Sequence, residues 1–151
     1  ILPYDHGVLA SVQQLTPGKI TYGGYKPQWP FGHGLSYSSF EYEELALNRE
    51  TLRPGEMLEV SLTVRNSGAR AGHHAVDLFV SDLYASLSPA ARRLRGFEKL
   101  YLDPGESRRI VFKLAEEDLS FVNTDLQRVA EPGEFRVQVG DLTANFRFEK
   151  E

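Results

Sequence analysis

The 151-residue sequence has no cysteine, one tryptophan and one methionine. Without thiols, neither a disulfide staple nor a thiolate metal site can form, so stability must come from a packed core. No run approaches the ~20 apolar residues of a membrane-spanning helix, and no membrane partner is expected. The formal net charge of -4 argues against a dedicated nucleic-acid binder. Phosphate-cradling glycine loops are missing too: Gly23-Gly24 and Gly32–Gly34 lack the strand-then-helix setting that such a loop needs. Nucleophilic catalysis needs a serine or cysteine near an oriented histidine, and none of the four histidines lies in a recognisable elbow or glycine-rich catalytic turn. The first residue is Ile1, and no basic-then-apolar leader follows it. A processed chain or an excised piece is the expectation from that start.

What is present is ordinary for a globular domain: 41% hydrophobic and 25% charged residues. At this length folding buries ~70% of the surface exposed by the unfolded chain. The first part is different. Residues 1–35 carry Pro3, Pro17, Pro27 and Pro30 among Tyr4, Tyr22 and Tyr25, with little periodicity. So long a structureless stretch is improbable inside a compact domain, and we read it as an irregular arm, the tail of a preceding domain. Its end, Trp29-Pro30-Phe31-Gly32-His33-Gly34-Leu35-Ser36-Tyr37, is too broken for a helix and too apolar for an idle linker. It is expected to pack between two bodies.

From Phe40 onward the period is two. Leu58, Val60, Leu62 and Val64 alternate with polar residues, as do Val76, Leu78 and Val80. The same holds for Ile110, Phe112 and Leu114, for Phe135, Val137 and Val139, and for Ala144, Phe146 and Phe148. Such alternation marks half-buried strands. Phe97–Leu102 is extended but less clean, and a phase shift within Phe40–Leu47 suggests a bulge. Pro54-Gly55-Glu56, Pro104-Gly105-Glu106 and Pro132-Gly133-Glu134 each precede a strand and read as type II turns. Only Ala115–Asp118 has a helical flavour. About seven strands with regular turns predict an all-β, immunoglobulin-like sandwich over residues 36–151.

Chemistry-bearing groups are sparse. His73-His74 point to opposite faces of a strand and read as exposed edge residues rather than a metal pair. Glu116-Glu117-Asp118 reads as a solvated turn. Arg92, Arg93, Arg95, Arg108 and Arg109 form a basic cluster, read as a solvated face paired with Glu98 and Glu106, with a polysaccharide contact as the alternative. Phe79 falls on the outward face of its strand, either as a covered docking patch or as isolated surface apolarity. Asp5-His6, after Tyr4, stands among aromatics in the arm, where it could line a ligand site of a larger protein or serve structural hydrogen bonding.

Taken in order, Pro30-Phe31-Gly32-His33-Gly34-Leu35-Ser36-Tyr37, Val64-Arg65-Asn66-Ser67-Gly68 with Ala71-Gly72, and Leu78-Phe79-Val80-Ser81-Asp82 form a series. Leu94-Arg95-Gly96-Phe97-Glu98-Lys99, then Leu102-Asp103-Pro104-Gly105-Glu106-Ser107, Asp118–Phe121 and Glu131–Phe135, continue it. The series resembles the C-terminal region of family 3 glycoside hydrolases, the β-glucosidase and β-xylosidase group, over about residues 28–148. Phe79 stands where that group usually has tyrosine. The resemblance implies an immunoglobulin/fibronectin III-like antiparallel β-sandwich preceded by an irregular N-terminal arm. It also implies upstream barrel and α/β-sandwich domains as partners, which would hold the nucleophile and the acid/base. No catalytic, cofactor-binding or metal-binding residue is therefore assigned to this chain, and no cofactor is expected. The chain alone is expected to be inactive, meeting carbohydrate only through the parent, which would cleave terminal β-glycosidic bonds. Trp29, Phe31, His33, Leu35 and Tyr37 are the expected interdomain contacts, and Tyr4, Asp5 and His6 could line a ligand site in the parent. A free-standing carbohydrate-binding or protein-interaction module is the alternative. A secreted or periplasmic parent is favoured over a cytoplasmic one.

Overall fold

Alternation has a direct physical consequence: in an extended strand every second side chain shares a face, so one face can leave water. A computed structural model describes residues 33–87 and 91–150 of the chain. Its long strands are β1 (Phe40–Leu47), β3 (Leu58–Asn66), β4 (Gly72–Asp82), β5 (Arg93–Leu102), β6 (Ser107–Leu114), β9 (Gly133–Val139) and β10 (Leu142–Phe148). Two-residue strands β2 (Thr51–Leu52), β7 (Phe121–Val122) and β8 (Arg128–Val129), and one turn of helix α1 (Glu116–Leu119), complete the order.

One sheet runs β1-β3-β6, the facing sheet β2-β10-β9-β4-β5, and β7 pairs with β8 alone. Pairing is antiparallel except between β10 and β2. Leu58, Val60, Leu62 and Val64 of β3 meet Leu78, Phe135, Phe148 and their neighbours in a single core between the sheets. The sandwich fold expected from the alternation is the fold observed.

Turn chemistry explains two of the three Pro-Gly-Glu repeats. Gly55 and Gly105 have φ of 79° and 78°, and Glu56 N and Glu106 N donate to Arg53 O and Asp103 O at 3.0 Å. The glutamate side chains reach back across the same turns. Glu56 Oε2 and Glu106 Oε2 accept from Arg53 N and Asp103 N at 2.9 and 2.8 Å. Each turn is thus closed twice. The third repeat departs from expectation. Gly133 has no positive φ, because it is already the first residue of β9, paired with Phe148. The β9–β10 connection instead places its positive φ at Gly140, 58°, the first position of a two-residue hairpin, the placement of a type II′ turn.

The expected bulge in β1 lies between Glu43 and Ala46, with Glu44 at φ 57°. Phe79 needs correction. A register shift separates it from Leu78, and its ring is buried, with the Arg92 guanidinium 4.7 Å from its centroid. It offers no open docking patch. The basic cluster also disperses. Arg93 donates to Ser120 O and Leu119 O at 2.8 and 3.0 Å, and Arg95 to Ser120 O at 3.4 Å, so both satisfy carbonyls at the end of α1. Arg108 pairs with Glu106 at 2.8 Å and Arg109 donates to Ser61 Oγ at 3.0 Å.

Candidate functional site

Strand lengths create the site. β9 pairs with β4 only from Phe79 to Asp82, so the first half of β4, still paired with β5, runs on past the β9–β10 hairpin. Side chains from the start of β1 fill the notch. The Phe40 ring stacks on His74 at 4.2 Å and 8°. Tyr42 shares a 2.6 Å hydrogen bond between its hydroxyl and His74 Nε2. A Cβ at Gly140 would lie 2.6 Å from the Tyr42 ring, so only glycine lets the hairpin tip come this close. His74 is therefore half-buried, not the exposed edge residue expected from sequence; His73, on the opposite face, is exposed.

Burial sets the electrostatics. His74 is held below the usual imidazole range by desolvation, with Asp77 pulling the other way. Desolvation also raises the Asp77 carboxyl, against His74. The Tyr42 hydroxyl is pushed up to about 12, by burial first and then by Asp77 and Asp141. Beside these groups lies a cavity of about 650 Å³, whose walls include His33, Leu35, Phe40, His73, His74 and Asp77. Its size is within the range of small-molecule sites.

The segment that forms one wall is fastened from behind. Asn66, fully buried, accepts from Ser38 Oγ at 2.7 Å and Gly68 N at 3.0 Å. Its amide donates to Arg70 O at 2.8 Å and Leu102 O at 3.0 Å. Ser39 O accepts from Ser67 N and Gly68 N, and a Cβ at Gly68 would fall 2.7 Å from Ser39 N. The Asn-Ser-Gly stretch is thus a clamp on the entry to β1.

Of the residues singled out from sequence, His33 and Leu35 are brought to the cavity, whereas Tyr37 projects from the surface. Tyr4, Asp5, His6, Trp29 and Phe31 lie outside the described residues. Glu116 pairs with Lys150 at 3.4 Å, and Asp118 Oδ2 accepts from Ala115 N at 2.9 Å, so that acidic turn is structural. Among the described residues no group of three or more His, Cys, Asp or Glu side chains could hold a metal ion. Sequence reasoning gives no site role to Tyr42 or Asp77 and reads Asn66 only as part of a strand-turn motif. An acid between Val76 and Leu78 and a polar residue closing a clean strand are the available signals.

Residues 74–143 match the model of the fibronectin type III-like domain. A β-xylosidase of Formosa agariphila is 37% identical over 123 residues, covering 82% of this chain and 17% of that protein. Thermostable β-glucosidase B of Acetivibrio thermocellus is 36% identical over 118 residues, 78% of this chain and 16% of its own length. Among solved structures, a β-glucosidase from Listeria innocua in complex with glucose superposes with a TM-score of 0.76 at 36% identity, covering 82% of this chain and 18% of that one. The chain spans less than a fifth of the length of these relatives.

Proposed function

We propose that this chain, a fibronectin type III-like domain of the kind carried by family 3 glycoside hydrolases, is the non-catalytic brace of a β-glucosidase-like enzyme. The observation that carries the proposal is the pair Leu35 and Tyr37, 87% and 95% exposed, on a segment whose far end is clamped by Asn66 and Gly68. Large apolar side chains held out into water on a fixed mount are suited to burial against a second body. Trp29 and Phe31 would extend the same joint toward upstream barrel and α/β-sandwich domains, and His33 would hydrogen-bond within it. Each such side chain contributes ~1.5–3 kcal/mol when buried, which is substantial against a net stability of ~5–15 kcal/mol. The chemistry of bond cleavage then belongs to those upstream domains, acting on terminal β-linked sugars.

The direct test is removal of this stretch from the enzyme that carries it. A fall in melting temperature, with the purified chain unable to turn over a nitrophenyl β-glucoside, is the expected result. Turnover by the purified chain, or an unaltered melting temperature after removal, would contradict the proposal.

A further inference from the structure

The outer face of the β4–β5 ribbon has a composition that a brace alone does not require. Cross-strand register places Asp77 opposite Phe97, Ala75 opposite Lys99 and His73 opposite Tyr101. Phe97 is 70% and Tyr101 49% exposed. They sit four residues apart on one strand, so about 13 Å separates their Cα atoms. The His73 ring meets Tyr101 edge-on at 5.0 Å, which steadies that end. Lys99 lies between the two rings on β5, and Asp77 lies beside Phe97 on the neighbouring strand. The Asp77 carboxylate is partly desolvated yet accepts no hydrogen bond among the described residues. β5 is the outermost strand of its sheet, so the face is open along one side.

We infer that this face binds a neutral oligosaccharide, linear enough to reach both rings. Sugar rings present C–H faces of partial positive charge, which complement the negative faces of Phe97 and Tyr101. Their hydroxyls can donate to Asp77 and accept from Lys99, satisfying both charges without removing them fully from water. A protein partner is the poorer fit, because interface cores are depleted in lysine and aspartate and an unpaired buried charge is costly. The opposed charges also leave no field of one sign to attract a polyanion. At His73 and Asp77 this face adjoins the cavity that Leu35 also lines, but its two rings, Phe97 and Tyr101, lie outside that lining, and the inference does not rest on the bracing role.

The test is a ¹H–¹⁵N titration of the 151-residue chain with cellohexaose and, separately, xylohexaose. Shifts concentrated on residues 73–77 and 97–101 with at least one sugar, weakened about tenfold in Phe97→Ala/Tyr101→Ala, would support the site. Asp77→Asn serves as a second variant should the double substitution disturb the fold; it keeps the shape, loses an acceptor and is expected to weaken binding as well. Absence of shifts at ~10 mM sugar, or equal shifts in the variants, would overturn it. So would concentration-dependent self-association through this face without any response to sugar.

Discussion

Asn66 is the residue that fastens the entry to β1. Its side chain makes four hydrogen bonds in a fully buried position, so Asn66→Ala takes a partner from Arg70 O, Leu102 O and Ser38 Oγ, while Gly68 N keeps its bond to Ser39 O. Buried groups left without partners cost ~1–3 kcal/mol each before relaxation, and a net loss of about 2–3 kcal/mol in urea denaturation is expected. Asn66→Asp keeps the acceptor and loses both donors, so it should also destabilise. Titration of the neighbouring cluster supplies a second check. His74 has a folded pKa depressed below 6.5, so the folded state resists its protonation. Its contribution is intact above pH 6.5 and is lost as pH falls through the depressed value. Asp77 has a folded pKa raised above 3.8, so protonation relieves it, and its contribution rises as pH falls towards 3.8. Tyr42, raised to about 12, loses stability as pH climbs from 10 towards 12. Denaturation midpoints measured across pH should fall in the window just below 6.5, and His74→Asn should remove that slope.

At the level of elements, the turns make a controlled comparison within one chain. Gly55 and Gly105 occupy left-handed backbone with open space at the Cβ position, whereas Gly133 has open space and no positive φ. Gly55→Ala and Gly105→Ala should each cost about 1 kcal/mol, while Gly133→Ala should be close to neutral. Equal costs at all three sites in thermal or urea denaturation would contradict the assignment of turn chemistry. Gly133 also shows where sequence reading stops. Its Pro-Gly-Glu spelling is the same as that of the two true turns, and only pairing with Phe148 decides that the strand has already begun. The seven long strands are legible because period two survives in the core-facing residues of β3, β6, β9 and β10. The β1 bulge shows as a broken phase. The notch at His74 is not legible, because it arises from β9 being shorter than β4, a non-local relation that no local pattern encodes. Arg93 and Arg95 hide their roles for the same reason: the carbonyls they satisfy are 25 or more residues away.

The described residues form one sandwich with a continuous core, and among them two surfaces stand out, the exposed apolar entry at Leu35 and Tyr37 and the aromatic face of β5. The core explains why the chain should fold alone. On the proposed bracing role, the exposed entry at Leu35 and Tyr37 should gain stability when buried against a second body. That difference separates a brace from a free-standing module, and differential melting measures it. Leu35→Ser/Tyr37→Ser should lower the melting temperature of the complete enzyme by several degrees, at about 2 °C or more per kcal/mol for a domain of this size. The same pair should leave the isolated chain within about a degree of its starting value, since exposed substitutions are usually worth less than ~0.5 kcal/mol. Equal shifts in both, or no shift in the complete enzyme, would contradict a bracing role.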